Sequence, residues 1–222
     1  FFKKKIKISK IKKTVKIYNS KKIKTYLPYS ISKTMRGSII CLGGLVSKYG
    51  KAISAYPGGC AIGTRPIDIH LDGLKKLGAN FKVQNGYVLG QVNHQLTGSH
   101  IKLSFPSVGA TENIMMAAVK AKGKTIIENA AKEPEILDLA NSLNQMGSKI
   151  KITNKGIITI TGVKKLNKAN YKIMSDRIVA GTFVIAAVML NKEFEVKEVE
   201  TKHIRALISA LKEMGANIKI KD

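Results

Sequence analysis

The sequence predicts an α/β protein assembled from repeated βαβαββ units, with sheets outside and helices packed centrally. Two observations carry that prediction. First, one ten-residue pattern occurs three times: Leu74-Lys75-Lys76-Leu77-Gly78-Ala79-Asn80-Phe81-Lys82-Val83, Leu143-Asn144-Gln145-Met146-Gly147-Ser148-Lys149-Ile150-Lys151-Ile152 and Leu211-Lys212-Glu213-Met214-Gly215-Ala216-Asn217-Ile218-Lys219-Ile220. Its glycines stand 69 and then 68 residues apart. Each copy reads as the end of an amphipathic helix, a left-handed glycine just past it, and entry into a strand. A fixed period of this size marks one supersecondary unit used again. Second, Ile114-Met115-Met116-Ala117-Ala118-Val119 and Phe183-Val184-Ile185-Ala186-Ala187-Val188-Met189-Leu190 are apolar on every helical face. A helix of that kind belongs in a core.

The middle copy shows the unit best. Residues 101–105 read as a strand, 110–121 as a helix and 125–128 as a strand. Residues 134–146 read as a helix opened by Pro134 with acids in its first turn, and strands follow at 149–153 and 157–161. The first copy gives a helix near 32–46, a strand near 52–56, a helix from Pro66 to Leu77, and strands near Phe81 and at 87–91. The third gives a strand at 171–174, a helix at 177–190, a strand at 193–196, a helix at 202–214 and one strand more. The chain then stops one strand short of the pattern. Ahead of all three, Lys5-Ile6-Lys7-Ile8 and Val15-Lys16-Ile17 alternate as half-exposed strands do.

With 222 residues, 44% of them hydrophobic, the chain can build one or two ordinary cores. No apolar run reaches the roughly 18 residues of a transmembrane helix, and no secretory h-region is present. The expectation is a cytoplasmic protein with no membrane partner. The chain opens on Phe1-Phe2 without a methionine, which reads as a cut. Cys41 and Cys60 give neither a disulfide framework nor metal spacing, so neither a metal nor a cofactor is expected. Cys41, in an apolar helical stretch, reads as core. His94, His100 and His203 show no catalytic or metal arrangement, and His70 reads as packed on its helix as readily as functional.

The formal charge is +25, and residues 1–67 hold 16 Lys and Arg with no Asp or Glu. That balance allows a polyanion partner. Lysines alternating with Ile and Val read instead as solvated strand faces. Aromatic residues at 6%, with no Trp, supply a poor stacking platform for bases, which argues against a nucleic-acid partner.

The chemistry concentrates in Pro57-Gly58-Gly59-Cys60-Ala61-Ile62-Gly63-Thr64-Arg65-Pro66. Adjacent glycines allow strained backbone and close approach to a ligand. The helix behind them points its positive end at the loop. A thiol near that end and near Arg65 gains thiolate character. The connection between the second strand and second helix is longer here than in the other two copies, and such a departure falls where function falls.

Those residues, with Lys33-Thr34-Met35-Arg36, Ser107-Val108-Gly109-Ala110-Thr111-Glu112-Asn113, Glu128-Asn129-Ala130-Ala131-Lys132-Glu133-Pro134-Glu135-Ile136 and Ser175-Asp176-Arg177-Ile178-Val179-Ala180-Gly181-Thr182, resemble the UDP-N-acetylglucosamine 1-carboxyvinyltransferase family of peptidoglycan synthesis, the fosfomycin target. The resemblance runs from about Val15 to the end. It implies an inside-out α/β barrel built from βαβαββ units, with a first domain over residues 1–174 and the beginning of a second over 175–222. It implies transfer of the enolpyruvyl group of phosphoenolpyruvate to the 3-hydroxyl of UDP-N-acetylglucosamine. Cys60 would be the mobile-loop proton donor, and Arg36 and Arg65 would hold anionic groups. Arg65, Pro66, Ile67, Asp68, Ile69, Ser107, Val108 and Gly109 would line the nucleotide-sugar site. Glu133, Glu135 and Asp176 are further candidates; as first-turn or capping carboxylates they also have an ordinary structural reading. Phe105 stands where the family often has lysine. The family's early Lys-Asn pair, aspartate base and later arginines fall outside residues 1–222, so the rest of the same polypeptide would complete the cleft. Three other readings stand beside this one: the shikimate-pathway sister enzyme, a basic polyanion-binding protein, and an inactive remnant.

Overall fold

The computed structural model describes residues 6–9, 14–18, 23–57, 66–190 and 193–220. The loop carrying Cys60 and Arg65 lies outside the described residues, and so do these two site assignments. The chain opens with an antiparallel pair, β1 (Ile6–Ser9) and β2 (Thr14–Ile17). Val15 and Ile17 are 60% and 73% exposed, so β2 is a strand with no buried face rather than a half-exposed one.

Two four-stranded mixed sheets follow, and they share one topology. The first unit contains β3 (Tyr26–Leu27), α1 (Tyr29–Ser32), a 3-10 turn at Arg36–Ile40, α2 (Cys41–Tyr49), β4 (Lys51–Ala55), α3 (Asp68–Lys76), β5 (Asn80–Gln84) and β6 (Tyr87–Gln91). The second contains β7 (His100–Lys102), α4 (Val108–Ala118), β8 (Lys124–Glu128), α5 (Pro134–Gln145), β9 (Lys149–Ile152) and β10 (Ile158–Thr161). The strand orders are β3-β4-β6-β5 and β7-β8-β10-β9. In both, the first two strands are parallel, and the unit's last strand lies inside the sheet between the second and third, antiparallel to both. The middle unit therefore matches the sequence reading element for element. Among the described residues neither sheet closes into a barrel.

The threefold repeat is a threefold helix ending. Gly78, Gly147 and Gly215 take φ of 98°, 96° and 96°. Behind each, two bonds close the helix: Gly78 N–H to Lys75 C=O with Ala79 N–H to Leu74 C=O, Gly147 to Asn144 with Ser148 to Leu143, and Gly215 to Lys212 with Ala216 to Leu211. This is the 6→1 and 5→2 pairing that a left-handed residue after a helix permits. Glycine is required there because a Cβ disfavours that φ.

Helix α4 is the centre of the core. It packs against α2, α3 and α5, and Ala110, Thr111, Asn113, Ile114, Met115, Ala117 and Ala118 are all buried. The close approach needs glycine: a Cβ on Gly43 of α2 would lie 2.1 Å from the Asn113 carbonyl, and one on Gly73 of α3 would lie 2.2 Å from Ile114 Cδ1. On the strands, Ile127, Ile150, Ile158 and Ile160 turn inward, while Lys82, Lys124, Lys149 and Lys151 are exposed. Much of the positive charge is thus a solvated sheet surface.

Three further expectations need correction. The helix near 32–46 is broken: Met35 is extended at φ −145°, ψ 125°, and the Thr34 hydroxyl donates to the Ile31 carbonyl at 2.9 Å, closing α1 before α2 starts. Pro66 does not open a helix. Ile67, at φ −101° and ψ 4°, falls outside helical geometry and is the cap, its side chain buried in the core, and α3 begins at Asp68. Cys41 is exposed, since the buried positions of α2 are Leu42, Gly43 and Val46 and Cys41 lies on the other side.

The third unit departs most. Helices α6 (Arg177–Leu190) and α7 (Arg205–Glu213) form, but 171–174, 193–196 and 218–220 are not strands. In the first two units the first strand pairs with the second, and the second and third strands each pair with the unit's last strand. No such last strand follows α7 among the described residues, so 193–196 and 218–220 lack that shared partner. Helix α6 correspondingly buries only Ala180 and Gly181 and leaves Ile178, Val179, Phe183, Met189 and Leu190 more than half exposed. Among the described residues, no helix is long and apolar enough to cross a membrane.

Candidate active site

The structure brings the start of α3 beside the start of α4, with Arg36 at their edge. Arg36 donates from its guanidinium to the Pro66 carbonyl at 3.3 Å. Pro66 and Asp68 are exposed and Ile69 is half-buried against the core, whereas Ile67 is 1% exposed and offers only its backbone to a ligand. Ser107 caps α4: its Oγ accepts from Ala110 N–H at 3.3 Å, and its carbonyl accepts from the Thr111 hydroxyl at 2.8 Å. Thr111 in turn accepts from Ala131 N–H at 3.1 Å, fixing the α4 start to the loop after β8. The half-buried first turn, Val108 and Gly109, leaves the unpaired N–H groups and positive pole of an eleven-residue helix at this face. Such an end suits an anion. Phe105, just before it, is 64% exposed.

Behind the face lies a buried polar connection that sequence reasoning assigned no role. Asn113 Oδ1 accepts from Gly43 N–H at 2.6 Å, and its Nδ2 donates to the Ile39 carbonyl at 3.0 Å and stands 3.2 Å from His70 Nδ1. The signal available was the asparagine itself, an amide inside an apolar helix that must find partners when buried. His70 is 4% exposed. Burial first, and the nearby Arg36 charge second, lower its pKa to about 4, so the ring is neutral at pH 7.

The three carboxylate candidates gather at the starts of α5 and α6. Glu135 makes two bonds with Arg177, Nε to Oε2 at 3.2 Å and Nη2 to Oε1 at 3.0 Å. Those bonds hold the Glu135 carboxyl below its ordinary range. Asp176 caps α6, its Oδ1 accepting from Ile178 N–H at 2.8 Å and Val179 N–H at 3.1 Å. Glu133 caps α5 by position without a side-chain bond. Sequence reasoning named both glutamates but missed Arg177 as a partner, because the pair spans 42 positions. On α4, Glu112 is raised by burial and then by the Glu135 charge.

A wide hollow of about 2220 Å³ lies elsewhere. It is bounded by α5 residues such as Leu137 and Asp138 and by stretches including Phe194, Val196 and Ile218. Those are the stretches of the third unit that lack a sheet, so the hollow is an open gap in that unit. None of Arg36, Pro66, Ser107 or Gly109 lines it.

Comparison with known proteins follows the same lines. Residues 3–222 match the profile of the family described as EPSP synthase (3-phosphoshikimate 1-carboxyvinyltransferase). The chain is 47% identical to a UDP-N-acetylglucosamine 1-carboxyvinyltransferase of Oleidesulfovibrio alaskensis over 86% of its own length and 46% of that protein's. It is 48% identical to the enzyme of that name from Pelagibacter ubique, covering 95% and 50%, and 52% identical to UDP-N-acetylglucosamine 1-carboxyvinyltransferase 1 of Clostridium acetobutylicum, covering 85% and 45%. The chain thus spans about half the length of these relatives. Among solved structures, the enolpyruvyl transferase NikO from Streptomyces tendae superposes with a TM-score of 0.71 at 20% identity, over 83% of this chain and 44% of that one. EPSP synthase from Acinetobacter baumannii gives 0.63 at 22%, over 84% and 42%. At such identities the structures speak for the fold, and they agree with the α/β units described above. With the profile matched along nearly its whole length, the chain belongs to the EPSP synthase (3-phosphoshikimate 1-carboxyvinyltransferase) family.

Proposed function

We propose that this chain carries one half of a UDP-N-acetylglucosamine 1-carboxyvinyltransferase. The observation that carries the reading is its 47–52% identity, over most of its own length, to proteins of that name. The reaction joins the 3-hydroxyl oxygen of the sugar to C2 of phosphoenolpyruvate while C3 takes a proton. The tetrahedral adduct then loses phosphate from C2 and a proton from C3, leaving the enol ether. Cys60 supplies the proton to C3 from its glycine-rich loop. Arg65 and Arg36 hold phosphate, carboxylate or diphosphate oxygens, for which a planar guanidinium is suited. Pro66, Ile67, Asp68 and Ile69 form one wall for the nucleotide sugar, and Ser107, Val108 and Gly109 form the other.

Glu133, Glu135 and Asp176 stand at the edge of this reading. Glu135 and Asp176 are already engaged, so we assign Glu135 to holding α6 against α5 through Arg177 and Asp176 to capping α6 near the cleft. The division into a domain of residues 1–174 and the start of another at 175–222 belongs to the same proposal, with the two mixed sheets as sides of an inside-out barrel. Segments like those of the relatives beyond this length complete the cleft. The substrates make the setting cytoplasmic.

Calorimetric titration of the chain with UDP-N-acetylglucosamine should show saturable binding. Fosfomycin added with it should open its epoxide on the Cys60 sulfur, adding the whole reagent mass to that thiol and sparing the exposed Cys41. Saturable binding of 3-phosphoshikimate in its place would assign the chain to the sister activity. Binding only to DNA, and falling steeply with salt, would overturn the enzyme reading.

A further inference from the structure

We infer that His70 is a positioning residue for the nucleotide-sugar wall: held by Asn113, its imidazole sets how closely the start of α3 approaches the start of α4. The inference rests on the function proposed above and adds a residue to it. His70 lies in the first turn of α3, directly after the wall residues Asp68 and Ile69, and Asn113 lies on α4 just past its first turn. Both are almost wholly buried, at 4% and 0%.

Chemistry fixes the orientation of the amide. The buried Gly43 N–H needs an acceptor, which must be Oδ1 at 2.6 Å, and the Ile39 carbonyl needs a donor, which must be Nδ2 at 3.0 Å. An amide NH2 only donates, so His70 Nδ1, 3.2 Å away, is the acceptor and the ring proton sits on Nε2. One side chain of α4 thereby ties the 3-10 turn, α2 and α3 at a single point.

The far edge of the ring does the spacing. A Cβ at Gly109 would lie 3.1 Å from His70 Cε1 and 3.5 Å from Nε2. The imidazole therefore rests directly on the first turn of α4, where the glycine leaves room for it. The ring fills the interval between the two walls, and Asn113 prevents it from turning. Arg36 reinforces the arrangement, since its guanidinium bonds Pro66 on the same side and disfavours a second positive charge on the ring.

The test uses the 222-residue chain labelled with 15N and 13C. At pH 7 the His70 ring should show an unprotonated Nδ1 and a protonated Nε2. Titration with UDP-N-acetylglucosamine should shift the ring resonances with the midpoint found by calorimetry. His70→Leu should weaken that binding about tenfold, the loss expected when a buried polar partner is removed. His70→Asn, which keeps an acceptor near the Nδ1 position but lacks the far edge of the ring, should recover only part of the loss, and thermal melting checks that each variant folds. An Nδ1-protonated ring overturns the inference, as do ring resonances that ignore the ligand, or a folded His70→Leu binding like wild type. Wild-type chain that shows no saturable binding fails the functional reading itself, and the positioning role falls with it.

Discussion

Acid should loosen this fold at one identifiable point. The His70 pKa is about 4 in the folded chain against an ordinary 6.5. The unfolded chain therefore takes up this proton as pH falls below about 6.5, while the folded chain refuses it until about 4. A depressed folded pKa contributes stability that is complete above the unfolded value and is lost as pH drops through that window. A gap of two to three pH units at about 1.4 kcal/mol each gives a loss of about 3 kcal/mol. That is a large share of the 5–15 kcal/mol typical of a whole domain. The protonated ring can no longer accept from Asn113, so the same titration removes the α3–α4 tie. Urea melts of wild type and His70→Asn at pH 7.5, 6.5, 5.5 and 4.5 measure it. The variant should be less stable at pH 7.5, and the difference should move in the variant's favour by up to about 3 kcal/mol as pH falls from 6.5 toward 4. Other acid-sensitive groups, such as Glu135 held low by Arg177, titrate in both proteins and cancel in the difference. Two profiles that stay parallel from pH 7.5 to 4.5 would refute the assignment of His70 as a buried neutral ring.

The remaining predictions concern packing and capping. Gly43→Ala places a methyl 2.1 Å from the Asn113 carbonyl and 2.5 Å from Oδ1. It should force α2 off α4 at a cost of about 3 kcal/mol in urea melts, the upper range for overpacking a core. The next residue is its control: a Cβ on Gly44 meets nothing within 4 Å. Gly44→Ala should therefore stabilise the chain by about 0.5–1 kcal/mol through helix propensity alone. Asp176→Ala removes the acceptor for two N–H groups at the start of α6 and should cost about 1 kcal/mol. Hydrogen exchange should quicken at Ile178 and Val179, and Asp176→Asn should restore most of the protection.

What the sequence disclosed and what it withheld divide along the range of the interactions. Gly78, Gly147 and Gly215 announced three helix endings because that motif closes within six residues, and the structure repeats its two bonds each time. The middle unit could be read whole because each element signals itself locally, by Pro134 at a helix start or by alternating isoleucines in β9 and β10. The strand expectations at 171–174, 193–196 and 218–220 failed for the opposite reason. Their composition suits strands, but a strand exists only with a partner, and in this architecture the second and third strands of a unit both pair with its last strand. Helix α6 makes the same point: its apolarity on every face says that it seeks burial without saying against what. At the candidate site, Arg36, Pro66, Asp68, Ser107 and Gly109 were found through resemblance, and the structure gathers them at two helix starts. Neither Asn113 with His70 nor Arg177 with Glu135 was paired in advance, because each pair is joined across more than 40 positions. Asn113 nonetheless left a trace. It is the one amide in a helix whose following residues, Ile114 to Val119, are all apolar, and an amide buried with such a run must bond to something buried.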